Sequence, residues 1–214
     1  MTVVGLLYTS DVHRPVFDDL VATVDSSSRT VTVVDETLLD RARRFGPTDP
    51  ALADAVRMRL VELIDSGARS IVCTCSTIGG LTETVGAGLA VDVVRVDRAM
   101  PERAVEIGGR VVVLAALEST VGSTGDLIDT VARGRGVEVV IVSRLVAGAW
   151  ERFEAGDISG YHALVAAAIA RVGDEVDVVV PAQASMAPAA EVVAVEASVL
   201  GSPRAAMTAV LESP

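Results

Sequence analysis

The stretch Ile71-Val72-Cys73-Thr74-Cys75-Ser76-Thr77-Ile78-Gly79-Gly80 contains the only two cysteines of this 214-residue chain. An apolar run ends in a thiol, two hydroxyls and two glycines, as expected where a buried parallel strand stops and a helix begins. The N-terminus of a helix binds anions and favours a thiolate over a thiol. The stretch therefore predicts a strand-to-helix junction that presents a reactive Cys75, with Cys73 one strand period back in the core.

The composition is that of a globular protein with an aliphatic core. Half of the residues are hydrophobic but only 3% are aromatic, and the length suits one α/β domain or two small ones. No apolar stretch reaches the roughly 20 residues of a membrane span, and no basic region precedes the first apolar run. We therefore expect a cytoplasmic protein that does not bind a membrane, with both cysteines reduced.

The charged residues exclude several classes of function. All 18 basic residues are arginine, so the chain has no lysine for a pyridoxal phosphate Schiff base or for a P-loop. A net charge of −11 argues against a nucleic-acid partner. An anionic substrate would have to be held by local dipoles against the overall field.

Strand-like and helix-like segments alternate along the chain, which predicts parallel sheets covered by helices on both faces. Helical spacing is seen, for example, in the set Ala55, Met58, Val61 and Ile64. The strand-like runs are Val3–Tyr8, Thr30–Asp35, Arg69–Cys75, Val91–Val96, Arg110–Ala116, Val137–Val142 and Asp177–Pro181.

An internal repeat divides the chain into two halves. The run 4–7 resembles 111–114 at an offset of 107, and the block that starts at Cys75 resembles the one that starts at Gln183 at an offset of 108. We therefore expect an α/β fold of two pseudo-symmetric lobes, each a mostly parallel sheet flanked by helices. The lobes would be residues 1–97, with a C-terminal helix 204–214 packing back on them, and residues 98–203, with the active site in the interlobe cleft.

Ligands of parallel α/β sheets bind beyond the carboxyl ends of the strands, which places the candidate site residues. Cys75 is the expected catalytic residue. The expected substrate-binding residues are Tyr8, Thr9, Ser10, Ser76, Thr77, Glu118, Ser119, Thr120, Gln183, Ala184 and Ser185. We expect no bound metal, because the soft ligands are few and a C-x-C pair is not a usual zinc spacing.

These blocks resemble the aspartate/glutamate/hydantoin racemase superfamily in order, spacing and overall length. Cys75-Ser76-Thr77 is similar to its first cysteine block, and Thr120-Val121-Gly122-Ser123 is similar to a segment of its second lobe. The strand Asp177–Pro181 stands where the family has its second cysteine strand. The resemblance implies an enzyme without cofactors in which one thiolate removes an α-proton and a thiol on the opposite face returns it.

The chain departs from that pattern because Gln183 stands at the position of the second cysteine. An amide cannot donate a proton as a thiol does. We therefore expect a racemase- or isomerase-like enzyme that acts on a small anionic carboxylate (an amino acid, hydantoin or dicarboxylate) through one thiolate. The alternatives are a one-thiol cis–trans isomerase or decarboxylase of the same superfamily, or a carboxylate-binding protein that has lost catalysis. A homo-oligomer is compatible with the sequence.

Several residues keep more than one interpretation. A second proton carrier could come from Asp11, His13, Glu118 or Tyr8. Gln183 could instead satisfy buried backbone, and Ser119 and Thr120 could be plain helix caps. His162, in an expected helix far from any strand end, is assigned a structural role, and Asp97 and Arg98 are interpreted as a salt-bridged linker. A nucleotide-binding fold is disfavoured because residues 5–10 contain no G-x-G-x-x-G.

Overall fold

A computed structural model describes residues 2–25 and 27–211 of the chain. The chain divides into two compact units. The first unit runs up to Arg98 and includes the chain from Pro203 onward, and the second unit is Ala99–Ser202. Among the described residues, no helix has both the length and the apolar character that crossing a bilayer requires.

The first unit alternates strands and helices from its first strand. A 3₁₀ turn, Asp11–His13, lies between the first strand and the first helix. The elements are β1 (Val3–Tyr8), α1 (Arg14–Val24), β2 (Arg29–Val34), α2 (Glu36–Phe45), α3 (Pro50–Asp65), β3 (Ser70–Cys73), α4 (Ser76–Gly86) and β4 (Asp92–Arg95).

The second unit repeats this alternation and is followed by the last helix of the described chain. A 3₁₀ turn, Ala184–Met186, follows its third strand. The elements are α5 (Ala99–Ile107), β5 (Gly109–Ala115), α6 (Glu118–Arg135), β6 (Val139–Leu145), α7 (Ala149–Glu154), α8 (Ile158–Val172), β7 (Val178–Pro181), α9 (Ala187–Ala190), β8 (Ser198–Val199) and α10 (Ser202–Leu211).

Each unit has one four-stranded sheet, and the two sheets have the same topology. The strand orders are β2-β1-β3-β4 and β6-β5-β7-β8, and every pairing is parallel. Leu7 pairs with Cys73 in the first sheet, and Leu114 pairs with Pro181 in the second. These offsets of 107 and 108 residues are the ones seen in the sequence. The expected α/β fold with parallel sheets flanked by helices is therefore confirmed.

Aspartates begin three of the helices by satisfying N–H groups of the first turn. Asp35 accepts from Thr37 N at 3.1 Å, Asp49 from Leu52 N at 3.2 Å, and Asp157 from Gly160 N at 2.9 Å. Helices α2, α3 and α8 therefore start where the sequence supplies a local capping group.

The buried face of α3 differs from the one that its spacing suggested. Leu52, Val56, Leu60 and Leu63 face the core, whereas Met58 is 62% exposed. The helix carries two apolar stripes at helical spacing, and its own pattern does not choose between them. The choice follows from the packing of Leu52, Val56, Leu60 and Leu63 in one core cluster with the β3 residues Ile71 and Cys73.

Candidate active site

The predicted site residues follow adjacent central strands in each unit. In the first unit Thr9 and Ser10 follow β1, and Cys75-Ser76-Thr77 follows β3. We call these five residues the first corner. In the second unit the second corner comprises the residues after β5 and β7, namely Glu118, Ser119, Thr120, Gln183, Ala184 and Ser185. Because the strands are parallel, each group lies beyond the carboxyl ends of the strands of its own sheet.

Cys75 is the N-cap residue of α4, at the junction that the sequence predicted. Its backbone is extended, with φ −107° and ψ 114°, and its side chain makes no capping hydrogen bond. The residue is half-buried and packs partly against the core, and Ser76 and Thr77 are buried in the first helical turn. The helix dipole places partial positive charge at this end, which favours a bound anion such as a carboxylate.

Cys73 is a core residue, as predicted. It is fully buried, its thiol donates to the carbonyl oxygen of Cys75 at 3.5 Å, and the Thr82 hydroxyl donates to its sulfur at 3.5 Å. Burial, together with the neighbouring sulfur of Cys75, raises the pKa of the Cys73 thiol to about 12. Cys73 therefore stays a thiol at neutral pH, and of the two cysteines only Cys75 is partly exposed.

A buried ion pair lies beside the first corner and was not predicted. Arg95, the last residue of β4, donates from Nε and Nη2 to the two carboxylate oxygens of Asp97 at 2.5 and 2.8 Å. Arg95 Nη2 also donates to the carbonyl oxygen of Ser76 at 3.3 Å. Burial lowers the pKa of Arg95, but the hydrogen bonds and charge of Asp97 outweigh it, and the net pKa is raised.

The prediction that Asp97 and Arg98 form a salt-bridged linker is therefore wrong about the partners. Asp97 is fully buried and binds Arg95, while Arg98 pairs with Glu83 at the surface. The close approach of Arg95 requires Gly79, since a Cβ added there would lie 2.9 Å from the Cβ of Arg95. The sequence did contain a signal for this buried pair. Arg95 ends an apolar strand, and the preceding helix supplies Gly79 and Gly80, which leave room for its side chain.

Gln183 is tied to the backbone of its own unit. It is the N-cap residue of the second 3₁₀ turn, and its Oε1 accepts from the N–H of Ala116 at 2.5 Å. Ala116 is buried, so this bond satisfies an otherwise desolvated donor. The side-chain oxygen is occupied, and the half-buried amide keeps its NH₂ group as a hydrogen-bond donor.

Two ring side chains of α8, Tyr161 and His162, form hydrogen bonds with Ser185 of the second corner. The Tyr161 and Ser185 hydroxyls share a hydrogen bond of 2.7 Å, and His162 Nε2 lies 3.0 Å from the carbonyl oxygen of Ser185. Burial raises the pKa of Tyr161, which stays a neutral phenol. The expectation that His162 lies far from any strand end is wrong, because packing of α8 brings it to the residues that follow β7.

Tyr8 ends β1 in a fully buried position. Its ring packs edge-on against Phe17 with the ring centres 5.6 Å apart, and its hydroxyl has no hydrogen-bond partner among the described residues. Burial, with a smaller contribution from the charge of Asp18, raises its pKa. A buried phenol that stays neutral is a poor proton acceptor.

Of the other candidates for a second proton carrier, Asp11 and Glu118 are at the surface. Asp11 is exposed and lies 3.3 Å from Arg14, and Glu118 is exposed. The side chain of His13 lies outside the described residues. Ser119 is half-buried and Thr120 is buried, and both stand inside α6, whose N-cap residue is Leu117, so the capping interpretation of these two residues is wrong.

Among the described residues no cluster of three or more His, Cys, Asp or Glu side chains has a metal-binding arrangement.

Comparison with solved structures shows the fold. The aspartate racemase of Picrophilus torridus superposes with a TM-score of 0.74 at 16% identity, covering 99% of this chain and 94% of that chain. A glutamate racemase isoform of Bacillus anthracis gives 0.71 at 14% identity, covering 98% and 80%. The allantoin racemase of Pseudomonas fluorescens gives 0.64 at 16% identity, covering 99% and 89%.

No protein-family model and no curated protein sequence matches the chain. The likeness extends over nearly the whole length of this chain and most of each solved structure. The chain therefore has the two-lobed α/β fold of the racemases.

Proposed function

We propose that this chain, built on the racemase fold, is a cofactor-independent isomerase that acts on a small carboxylate through the thiolate of Cys75. The observation that carries the proposal is the position of Cys75. This half-buried residue is the N-cap of an 11-residue helix and follows a central strand of a parallel sheet. A thiolate is favoured there by the same helix end that would hold a substrate carboxylate.

In the proposed reaction Cys75 acts as the base. It removes a proton from the carbon next to the carboxylate, and the N-terminus of α4 stabilises the charge that develops on the carboxylate oxygens. Ser76 and Thr77 supply hydroxyls in the same helical turn. Cys73 does not share this role, because its buried thiol is protonated at neutral pH.

The missing second thiol limits which isomerisation is expected. Gln183, at the position of the second unit equivalent to Cys75, can donate a hydrogen bond from its amide but cannot return a proton to a carbanion as a thiol does. Cis–trans isomerisation needs only one thiolate. The sulfur adds to one carbon of a double bond, the remaining single bond rotates, and elimination of the thiolate restores the double bond. This reaction is therefore the second candidate.

The test is proton NMR in D₂O with amino acids, hydantoins, malonates and maleate. Wild type is expected to exchange an α-proton, decarboxylate a malonate or interconvert cis and trans acids. Cys75→Ala should lower that rate by about 10²- to 10⁴-fold, the usual contribution of a positioned base. Cys73→Ala is the matched control, since it removes the neighbouring sulfur and leaves the proposed base in place.

Each result bears on a different part of the proposal. Turnover that survives Cys75→Ala would exclude this cysteine from the mechanism. Carboxylate binding by the wild type without exchange or conversion of any compound would favour the binding protein over the enzyme.

A further inference from the structure

The edge strand β6 exposes an unusual amount of apolar surface. It is seven residues long and, among the described strands, pairs only with β5. Val140 is 59% exposed and Leu145 is 50% exposed. A long apolar edge strand is a template for pairing with another strand unless charged side chains or proline protect it.

The backbone hydrogen bonds determine which residues of β6 point outward. Val146 N donates to Ala115 O at 2.8 Å, so residues of even number face β5. Successive residues of a strand alternate the direction of their N–H and C=O groups. Val139, Ile141, Ser143 and Leu145 therefore direct their N–H and C=O groups away from β5, toward the open edge.

The equivalent edge of the first unit is protected. Val3 pairs with Arg29 and Arg110 pairs with Val140, so Arg29 on β2 occupies the position of Val140 on β6. β2 also carries two threonines, whereas β6 begins with four consecutive β-branched apolar residues, 139–142. The charged residue of β2 is at the start of the strand, whereas β6 is apolar over its first four residues and has its charged residue, Arg144, near its end.

We propose that β6 pairs antiparallel with β6 of a second copy of this chain, about a two-fold axis at Ile141. In this register the numbers of facing residues sum to 282, so the outward-facing residues of the two strands face one another. Glu138 then stands opposite the partner's Arg144, and Val140 opposite the partner's Val142. Symmetry repeats both pairs.

Charge complementarity selects this register. Glu138 and Arg144 are both exposed, and neither forms an ion pair within the described part of the chain. Moving the axis by one residue places Arg144 opposite Gly136 or Val140 and removes the charge pair. Opposite charges that face each other across antiparallel strands are stabilising, and like charges are destabilising.

The two-fold axis also limits the assembly to a dimer. Both β6 edges are covered, and the other edge of this sheet is β8, which has only two residues. A closed dimer built on one continuous eight-stranded sheet is the result.

The test is the oligomeric state of the full chain by sedimentation velocity, from about 1 µM to about 1 mM protein in about 0.15 M salt, which screens the repulsion between acidic copies. Wild type should show a reversible monomer–dimer equilibrium. Val140→Lys should abolish the dimer. Val34→Lys is the matched control, because Val34 is 38% exposed on β2 at the position equivalent to Leu145, and it should leave the dimer intact.

Charge exchange tests the register. Arg144→Glu should weaken the dimer by about tenfold, because it creates two pairs of like charges. Adding Glu138→Arg should restore wild-type affinity. Circular dichroism confirms that each variant is folded. A wild type that is monomeric throughout, or a dimer indifferent to Val140→Lys, would overturn the proposal. A dimer lost in Val140→Lys but unaffected by charge reversal would overturn the register at Ile141.

Discussion

The two corners have the same main chain and different chemistry. Thr74 N donates to Leu7 O at 3.0 Å in the first unit, and Ala182 N donates to Leu114 O at 2.8 Å in the second. The next residue is Cys75 in one and Gln183 in the other. The backbone scaffold is repeated, but the first corner presents a half-buried thiol and the second an amide bonded to Ala116.

The helices that follow the two corners also differ. Cys75 precedes α4, with 11 residues, whereas Gln183 precedes a three-residue 3₁₀ turn and the four-residue α9. The dipole of a helix needs several aligned peptide units to stabilise charge at its end. The first corner is therefore better suited to an anion, and the second to neutral hydrogen bonding.

The largest expected effect on the free energy of unfolding comes from breaking the buried ion pair beside the first corner, which has no counterpart described at the second. Asp97→Ala leaves the buried guanidinium of Arg95 without its partner and should lower the free energy of unfolding by about 3–5 kcal/mol. Urea denaturation measures the change. Arg133→Ala, which breaks the exposed pair with Asp129 on α6, is the control and should cost less than about 1 kcal/mol. Equal losses in both variants would contradict the assigned role of Asp97.

Gln183 should matter more for stability than Cys75 does. Gln183→Ala leaves the buried N–H of Ala116 without an acceptor and should cost about 1–3 kcal/mol. Cys75→Ala truncates a half-buried residue whose side chain makes no capping bond and should cost less, while strongly lowering the proposed activity. Thermal and urea unfolding of both variants sharpen the comparison. A larger loss in Cys75→Ala would reverse the assignment of structural and chemical roles.

The free energy of unfolding should also fall at high pH because of Cys73, the core residue that precedes the first corner. Its thiol is protonated in the folded protein up to a pKa of about 12, whereas an unfolded cysteine ionises near pH 8.5. The unfolded state therefore binds fewer protons above pH 8.5, and stability should fall as the pH rises toward 12. Between pH 8.5 and 10 the loss is on the order of 1–2 kcal/mol.

Urea denaturation at pH 7.5 and pH 10 measures this loss, and Cys73→Ala should reduce the difference between the two pH values. The comparison stays below about pH 10 because the tyrosines of the unfolded chain begin to ionise there. An unchanged pH dependence in Cys73→Ala would show that other groups cause it.

The smallest effect on the free energy of unfolding is expected from the hydrogen bond between Tyr161 and Ser185 of the second corner. Ser185→Ala removes the hydrogen-bond partner of the buried Tyr161 hydroxyl and should cost about 1 kcal/mol. Tyr161→Phe in the same background should then cost little more, because the hydroxyl has already lost its partner. A double-mutant cycle measures the coupling, and additive losses would mean that the bond contributes nothing.

Much of the fold could be predicted from local pattern. β1 has the predicted bounds, and the other expected strands differ by one or two residues at most of their ends, because continuous apolar runs are typical of buried parallel strands. β8 was not predicted, since two residues carry no pattern. The junction at Cys75 was predictable because a strand, a thiol and a helix start are adjacent in sequence.

The contacts that surround the two corners could not be predicted in the same way. The Arg95–Asp97 pair is local in sequence, but its bond to Ser76 and its fit against Gly79 depend on the packing of α4 on β4. His162 reaches Ser185 across 23 positions, and the buried stripe of α3 was chosen by the strands beneath it.

The sequence by itself determined the alternation of strands and helices, the repeat, the cysteine at one strand-to-helix junction and the amide at the equivalent position of the second half. These properties depend on residue type and on spacing along the chain. Only the tertiary structure decided which helix face is buried, which helix carbonyl accepts from Arg95 and which strand edge is left open. Those outcomes depend on contacts between segments far apart in sequence, and no local pattern encodes them.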